Sequence, residues 1–421
     1  MLPSRMEPAM NDRCYAVPPG LLSVEQALEF LLERALPVTE TECVDTGTAL
    51  GRVLAQTLCS PIDVPSADNS AMDGYAFAIA DLARARSASL PVMQRIAAGA
   101  APGVLVPGTA ARIFTGAAIP RGADAVVMQE CCTVDAQGGI VIAGSVKPGD
   151  HIRRAGEDIR AGSEVLIAGT RLRPQELGIA ASIGVSRLNV VRRLRVALIS
   201  TGDELAMPGT PLRPGQCYNA NRYTVAGLLQ ALQCETVDYG IVADDPDATR
   251  AVLTQAAGDT DLILSTGGVS VGEEDHVKAA VDALGHLDLW RIAIKPGKPL
   301  AFGRIGTTPF IGLPGNPISA LVTFLIFVRP FILRTQGVLA VAPARFPVIA
   351  AFDWPSGARR EFLRARIEHH ADSYRALLHT QQGSAVLTAA GWAHGLIDVP
   401  MHRAVSRGDS VHFIPFSELL Q

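Results

Sequence analysis

Cysteine is scarce in this 421-residue chain, and its spacing suits neither disulfides nor metal. The seven cysteines fall at irregular intervals, none forms a Cys-x-x-Cys pair, and Cys131 and Cys132 are adjacent, a poor geometry for an ordinary disulfide. The few histidines are dispersed, so no zinc site and no His partner for a nucleophile such as Ser319 is indicated. The sequence therefore predicts reduced thiols in a cytosolic protein.

The chain also has no large excess of positive or of negative charge. Charged residues make up 19% of the chain, the formal net charge is −4, and Lys and Arg do not gather in long blocks. Because a protein that tracks a phosphate backbone needs a basic surface, nucleic acid is not expected as a partner. A hydrophobic content of 48% is instead typical of a well-buried globular protein, and the length predicts two to four domains.

The chain further lacks an apolar run long enough to cross a bilayer. Its most apolar stretch, residues 320–328, contains Thr323 and ends at Arg329, well short of the roughly 20 residues that a span needs. Residues 1–19 have no continuous apolar segment of the kind found in secretion signals. We therefore predict a buried helix at this stretch, no membrane partner and a cytoplasmic location.

The pattern of apolar and turn-forming residues changes along the chain. Ser23 is a candidate N-cap for an amphipathic helix at 23–35, and short apolar runs between turn residues predict mostly strand from about 43 to 167. Further on, strands alternate with helices, which indicates a mainly parallel sheet with helices on both faces. The alternating elements are strands at 196–199, 236–241 and 262–264 and helices at 224–233, 246–257 and 276–284. Short β-like segments return after Pro330.

Two of these predicted parallel strands end in Ser-Thr-Gly loops, at 200–202 and 265–272. Ligands bind outside the carboxyl ends of strands in open α/β sheets, and glycine lets backbone N–H groups approach an anion. Either loop alone is equally well explained as a tight turn, but the pair predicts a site for a phosphate-bearing ligand. Neither has a Walker A or G-x-G-x-x-G pattern, which disfavours a kinase or a dehydrogenase. The loop residues assigned to the ligand are Ser200, Thr201, Gly202, Gly267, Gly268 and Ser270.

Acidic side chains accompany the loops and follow a third strand. They are Asp203, Glu204, Asp244, Asp245, Glu273, Glu274 and Asp275. Carboxylates that meet at strand ends suit Mg²⁺, which takes oxygen ligands and substrate phosphates. The same residues also suit helix N-caps and solvated first turns, an alternative that applies most to Asp245 and Asp275.

Two rigid turns follow. Lys295 and Lys298 stand in a Lys-Pro-Gly-Lys turn, and fixed ammonium groups suit oxyanion recognition. Pro314, Gly315, Asn316 and Pro317 open the apolar helix, so their N–H groups could meet an anion at its positive end. Alone, the first turn is a pair of solvated lysines and the second a simple cap.

Seven strings resemble the MoeA family of molybdopterin molybdenumtransferases, which includes the C-terminal domain of gephyrin. They occur in the family's order: NSAMDGYA at 69–76, FTGAAIPRGADAVVMQE at 114–130, IRRAGEDI at 152–159, STGDEL at 200–205, STGGVSVGEEDHV at 265–277, IKPGKPLAFG at 294–303 and GLPGNPISA at 312–320. The resemblance implies a multidomain α/β plus β fold with a molybdopterin-binding-like, MogA-type α/β domain, a β-rich inserted domain and a C-terminal β-barrel-like domain. The implied bounds are 20–59 and 162–191 for an N-terminal linking domain, 60–161 for the β-rich domain, 192–340 for the α/β domain and 341–421 for the C-terminal domain.

The resemblance also implies an activity. The family inserts molybdate into adenylated molybdopterin and releases AMP in a Mg²⁺-dependent reaction, as a homodimer with transient contacts to the molybdopterin adenylyltransferase and to recipient molybdoenzymes. The implied catalytic residues are Asp73, Thr115, Glu204, Asp275, Lys295 and Lys298, with Glu204, Asp244 and Asp275 as metal ligands. The implied substrate contacts add Pro314, Gly315, Asn316, Pro317, Arg153 and Asp158 to the loop residues, and Arg364 and Ser384 align in the C-terminal domain.

The chain departs from the family at two places near these motifs. Asn219-Ala220 stands where an Asp followed by a hydroxyl residue is common, and Arg291 stands where Lys is common. The first departure removes an acid and a hydroxyl near the implied cleft. Two other functions stay open: a non-catalytic scaffold of the gephyrin kind, and the adenylyltransferase step that precedes insertion. The implied metal ligands Glu204, Asp244 and Asp275 and both lysines of the Lys-Pro-Gly-Lys turn are present, which favours the insertion enzyme.

Overall fold

The computed structural model describes residues 20–84, 89–101, 103–268, 276–370 and 373–420, with the backbone alone at Ala83, Leu289 and Trp290. The chain divides into two compact units. We call the described residues of Met1–Glu42, Gly51–Val53 and Val190–Gln421 the α/β unit, and those of Cys43–Leu50 and Leu54–Asn189 the β-rich unit.

The helices and strands are numbered in chain order. The α-helices are α1 (Val24–Arg34), α2 (Ile79–Arg84), α3 (Pro174–Ser182), α4 (Ala220–Ala231), α5 (Pro246–Asp259), α6 (His276–Leu284), α7 (Pro317–Thr323), α8 (Arg329–Thr335), α9 (Thr388–Trp392) and α10 (Phe416–Leu419). The strands up to residue 191 are β1 (Thr41–Asp45), β2 (Leu58–Cys59), β3 (Asn69–Ser70), β4 (Gly74–Phe77), β5 (Ser89–Ile96), β6 (Ala110–Ile113), β7 (Ala125–Met128), β8 (Cys132–Val134), β9 (Gly139–Ile142), β10 (Ile152–Arg153), β11 (Glu164–Leu166) and β12 (Arg187–Val191). The later strands are β13 (Arg195–Thr201), β14 (Leu205–Ala206), β15 (Cys217–Tyr218), β16 (Glu235–Val242), β17 (Leu262–Thr266), β18 (Gly285–Arg291), β19 (Ile294–Lys295), β20 (Pro299–Ile305), β21 (Thr308–Leu313), β22 (Phe346–Ala350), β23 (Arg360–His370), β24 (Ser373–Leu378), β25 (Gly395–Val399) and β26 (Ser410–Pro415).

The central sheet of the α/β unit is mainly parallel, as the alternation of elements predicts. Its order is β16-β13-β17-β21-β20-β18. The first four strands are parallel, β20 is antiparallel to β21, and β18 is antiparallel to β20. Side chains alternate across β13, so that Val196 and Leu198 enter one core while Ala197 and Ile199 enter the other. Helices α4, α7 and α8 supply the first core and α5 and α6 the second, so both faces of the sheet are covered.

The apolar stretch is a buried helix, as predicted, but a longer one. Helix α7, a π-helical segment Phe324–Val328 and α8 form a continuous helix, Pro317–Thr335, of 19 residues. Its length and apolarity would suffice to cross a membrane, yet 89% of its most apolar window is buried inside the protein. Helix α1 packs in the same core through Ala27 and Leu31. Its N-cap is Ser23, as predicted, and it forms a capping box with Gln26.

The end of the chain is a small barrel. Strands β23, β24, β22, β26 and β25 pair in that order, and β25 returns to pair with β23, which closes the ring. This confirms the expected barrel-like C-terminal domain. The short strand β19 adds to β23 in parallel, with Lys295 opposite Glu361. The Lys-Pro-Gly-Lys turn is thereby attached to the barrel at its first lysine.

The β-rich unit contains a six-stranded sheet of order β7-β4-β6-β5-β9-β8, and the prediction of a strand-rich region is confirmed. Strand β4 lies between β6 and β7, with Gly74 opposite Ile113 and Met128. A Cβ at Gly74 would lie 1.8 Å from the Val127 carbonyl oxygen, so only glycine allows this close strand approach. The close approach fixes the turn that presents Asp73.

Candidate active site

A cavity of about 660 Å³ opens at the carboxyl ends of β13, β17 and β21 in the α/β unit. Ligands of open α/β sheets bind at this edge. The lining residues are Thr201, Gly202, Glu204, Leu205, Cys217, Tyr218, Asn219, Ala220, Asn221, Asp244, Gly267, Gly268, Pro299, Pro314, Gly315, Asn316, Pro317 and Ser319. The structure thus brings both Ser-Thr-Gly loops, two of the acids and the Pro-Gly-Asn-Pro turn to one cavity. Of the predicted loop residues, Ser270 and Asp275 lie outside the described part of the chain.

The two glycines of the second loop allow it to pass close to the first. Gly267 and Gly268 have φ values of +88° and +65°, which side chains rarely adopt. A Cβ at Gly268 would lie 2.7 Å from the Thr201 hydroxyl oxygen. Ser200 lies deeper, because its fully buried hydroxyl accepts a hydrogen bond from Thr266 at 3.3 Å. Thr201, rather than Ser200, borders the cavity.

Carboxylates enter the cavity from two strand ends. Glu204 and Asp244 both line it, and an Asp203 carboxylate oxygen accepts a hydrogen bond of 3.4 Å from the Asp244 backbone N–H. Asp245 instead accepts from the Ala248 N–H at 2.7 Å as the N-cap of α5, so the capping alternative holds for it. Among the described residues no three His, Cys, Asp or Glu side chains form a metal cluster. A pair of carboxylates nevertheless fits Mg²⁺, which commonly takes one or two together with substrate phosphates and water.

The two predicted lysines do not line this cavity. The Lys295 ammonium lies 3.1 Å from a Glu361 carboxylate oxygen, and Nε1 of Trp354 donates to the same oxygen at 3.1 Å. Glu361 is buried while Lys295 is half-exposed, so the barrel supplies a buried anion to which the exposed lysine is paired. Lys298 is exposed.

The two predicted residues of the C-terminal domain, Arg364 and Ser384, make contacts that hold the fold together. Arg364 is 1% exposed; its guanidinium donates to the carbonyls of Phe362 at 3.1 Å and Gly383 at 3.3 Å. Burial lowers the pKa of Arg364 to about 10. The Ser384 carbonyl accepts from the Ile318 N–H at 2.9 Å, which attaches the barrel to the start of α7.

In the β-rich unit the structure joins two predicted residues directly. An Asp73 carboxylate oxygen accepts hydrogen bonds from both the backbone N–H and the hydroxyl of Thr115. Arg153 lies in β10, opposite Asn69 at the start of the motif that contains Asp73. Asp158 lines a different cavity, of about 520 Å³, beside α3.

Several cavity residues escaped the sequence analysis. Tyr218 is 45% exposed at the rim, and its hydroxyl donates to the Thr210 carbonyl at 2.9 Å. Asn221 donates from its amide to the Gly315 carbonyl at 2.7 Å, which connects α4 to the Pro-Gly-Asn-Pro turn. Both residues lie next to Asn219-Ala220, and the departure from the family pattern at that pair was the sequence signal that pointed to this part of the cavity. The two-residue strand β15 is too short for a pattern to predict.

The fold and the cavity define a multidomain α/β protein with a cavity at the carboxyl edge of its mainly parallel sheet, the edge at which such sheets bind ligands. Three family models match the chain in order: the MoeA N-terminal region (domain I and II) at residues 22–184, a probable molybdopterin binding domain at 197–334 and the MoeA C-terminal region (domain IV) at 347–416. The chain belongs to the MoeA family, which confirms the resemblance seen in the seven strings.

Relatives support this assignment over the whole length. The molybdopterin molybdenumtransferase of Haemophilus influenzae is 40% identical over 95% of this chain and 100% of its own. Molybdopterin molybdenumtransferase 2 of Mycobacterium tuberculosis is 39% identical over 84% of this chain and 89% of its own. The crystal structure of the molybdopterin biosynthesis MoeA protein of Pyrococcus horikoshii OT3 has a TM-score of 0.79 at 28% identity and covers 94% of this chain and 100% of that one.

Proposed function

We propose that this protein is a molybdopterin molybdenumtransferase that inserts molybdate into adenylated molybdopterin and releases AMP. The observation that supports it most is the meeting of two glycine loops, two carboxylates and a rigid Pro-Gly-Asn-Pro turn at one cavity. Such a cavity suits a substrate with phosphates on one side and a polar ring on the other. Two relatives that cover 95% and 84% of this chain are named molybdopterin molybdenumtransferases.

In the proposed reaction water attacks the phosphoanhydride of the adenylate, so that AMP leaves and the pterin keeps its own phosphate. Molybdate then binds the two dithiolene sulfurs, and one molybdate oxygen leaves as water with the two thiol protons, so the oxidation state of molybdenum does not change. Thr201, Gly202, Gly267 and Gly268 present backbone groups and a hydroxyl to the substrate. Glu204 and Asp244, together with Asp275, would hold Mg²⁺, which when bound neutralises phosphate charge. Fixed positioning of molybdate beside the sulfurs is the larger task of these loops.

The lysines have a separate task in this proposal. Lys295 and Lys298 would balance the negative charge of molybdate and of the leaving phosphate. Asp73, Thr115, Arg153, Asp158, Arg364 and Ser384 are proposed contributors on the strength of the family motif alone. We further propose a cytoplasmic homodimer of the four domains set out above, which exchanges substrate and product through transient contacts with the adenylyltransferase and recipient molybdoenzymes.

The test is AMP release from adenylated molybdopterin with Mg²⁺, with and without molybdate, together with reactivation of a molybdenum-free molybdoenzyme. Molybdate-dependent AMP release with reactivation is expected. Binding of the adenylate without turnover would instead favour the scaffold, and formation of the adenylate from ATP and molybdopterin would favour the adenylyltransferase. The variant Glu235→Gln, which alters an exposed ion pair with Arg195, serves as a control for surface charge.

A further inference from the structure

The hydrogen bonds of Asn219 determine which way its amide points. Asn219 is 2% exposed and is the N-cap of α4, where its side-chain oxygen accepts from the Arg222 N–H at 3.1 Å. Only an oxygen can accept there, so the other amide atom is the NH₂ group. That nitrogen is buried, has no hydrogen-bond partner and belongs to a residue that lines the cavity. Asn219 therefore provides an unused donor.

Two neighbours in the same lining carry the complementary features. Asn221 is 9% exposed and uses its NH₂ group to donate to the Gly315 carbonyl, so its free atom is the oxygen. The Thr201 hydroxyl is also buried without a partner. Because buried polar groups nearly always have partners, three residues that line one cavity and each hold a buried, unpartnered polar atom mark a place where a ligand can complete the hydrogen bonding.

The chemistry of the three atoms selects the ligand. Phosphate and molybdate oxygens accept hydrogen bonds at neutral pH, so they would satisfy the Asn219 donor but would confront the Asn221 oxygen with another acceptor. A ring edge with an N–H beside a carbonyl or ring nitrogen satisfies both, and the Thr201 hydroxyl can serve either kind of neighbour. The anion must then be bound by other groups of the cavity, for which the backbone N–H groups of Gly202, Gly267 and Gly268 are suited.

We propose that Asn219, Asn221 and Thr201 form a recognition site for the donor–acceptor edge of a nitrogen heterocycle, with Asn219 as its specificity-determining residue. The inference rests on the proposed function, whose substrate contains two rings with such an edge, the pterin and the adenine. In this chain the Asn219-Ala220 departure thus exchanges a carboxylate for an amide donor at the cavity wall.

The test is direct binding of pterin-6-carboxylic acid and of AMP to the full chain and its variants, by calorimetry. Asn219→Asp keeps an oxygen that caps α4, since Asp and Asn are equally good caps, but replaces the donor with a charged acceptor. Asn219→Ser keeps a cap and removes the donor without adding charge. The matched control is Ser23→Asp, which adds a carboxylate at the N-cap of α1, outside the cavity lining.

The expected result is a rise in Kd of about ten- to a hundredfold for one probe in Asn219→Asp, a smaller rise in Asn219→Ser and no change in Ser23→Asp. The melting temperature should stay near that of the parent. The probe that loses affinity identifies whether the pterin or the adenine occupies the site. Unchanged affinity for both probes in Asn219→Asp, or no binding of either to the parent, would overturn the inference. A parent that binds a probe but releases no AMP would refute the proposed function alone.

Discussion

The Asp73 carboxylate accepts two hydrogen bonds from one residue, Thr115, from its backbone N–H at 2.8 Å and from its hydroxyl at 2.8 Å. The two residues are 42 positions apart and meet because β4 pairs with β6, with Gly74 opposite Ile113. These donors favour the ionised form, so the Thr115 N–H and then its hydroxyl lower the pKa of Asp73. Asp73 is thus a carboxylate throughout the physiological range.

The first prediction concerns this pKa. Thr115→Val keeps the backbone donor and removes the hydroxyl, so the pKa of Asp73 should rise part of the way toward its ordinary value. Because the folded pKa lies below the unfolded one, the pair stabilises the fold above the unfolded pKa, and that contribution is lost as the pH falls through the folded pKa. Carboxyl ¹³C shifts measured against pH report the change.

Asp135 is the internal control for this titration. Its pKa is lowered by Ser89 and by the Gly139 N–H, in the same unit but through other partners. It should titrate identically in the parent and in Thr115→Val. An unmoved Asp73, with Asp135 as reference, would show that the hydroxyl bond does not form in solution.

The second prediction concerns the anion that holds Lys295. Glu361→Gln removes the charge that faces the Lys295 ammonium but keeps an oxygen able to accept from Trp354. Since Lys295 is 46% exposed, solvent screens much of the loss, and we expect a cost of about 1 kcal/mol, seen as a fall of roughly 2–4 °C in melting temperature. We expect turnover to fall by more than the small loss of stability would explain, because Lys295 loses the anion that orients its ammonium group.

The variant Trp354→Phe separates the effect of the Glu361 charge from the effect of the hydrogen bond that positions Glu361. It removes the N–H that donates to Glu361 and keeps an aromatic ring beside Lys295. A smaller loss of turnover than in Glu361→Gln is expected. Equal loss in both variants would mean that the position of the Glu361 side chain, rather than its charge, is what matters to the lysine.

Sequence patterns predicted the sheet and its ligand edge because both depend on local, repetitive signals. The apolar run of β13 and the caps of α1 and α5 are visible in the sequence. The pairing of Lys295 with Glu361 was not predictable, since it depends on how β19 adds to a strand some 66 positions later. The free amide atoms of Asn219 and Asn221 likewise depend on partners across the fold.

A third prediction addresses the carboxylates of the cavity. Glu204→Gln and Asp244→Asn should each raise the Mg²⁺ concentration needed for half-maximal AMP release by about tenfold or more, since each removes a charged oxygen ligand. Asp275→Asn should lower turnover strongly and leave the fold intact. Asp245→Asn is the matched control, because this neighbouring residue caps α5 and Asn caps as well as Asp. The same Mg²⁺ requirement in all four variants and the parent would remove the metal role from these residues.

A fourth prediction uses two glycines that differ in backbone conformation and in surroundings. A Cβ at Gly268 would lie 2.5 Å from Cγ2 of Val277 and 2.7 Å from the Thr201 hydroxyl, at a φ of +65°, so Gly268→Ala should displace the loop and reduce substrate affinity. At Gly227, within α4, a Cβ would meet no atom within 4 Å, so Gly227→Ala should stabilise the protein by about 0.5–1 kcal/mol. Melting temperatures and adenylate binding measured side by side test both. If Gly268→Ala bound substrate like the parent, the close passage of the loop over Thr201 would not be required for recognition.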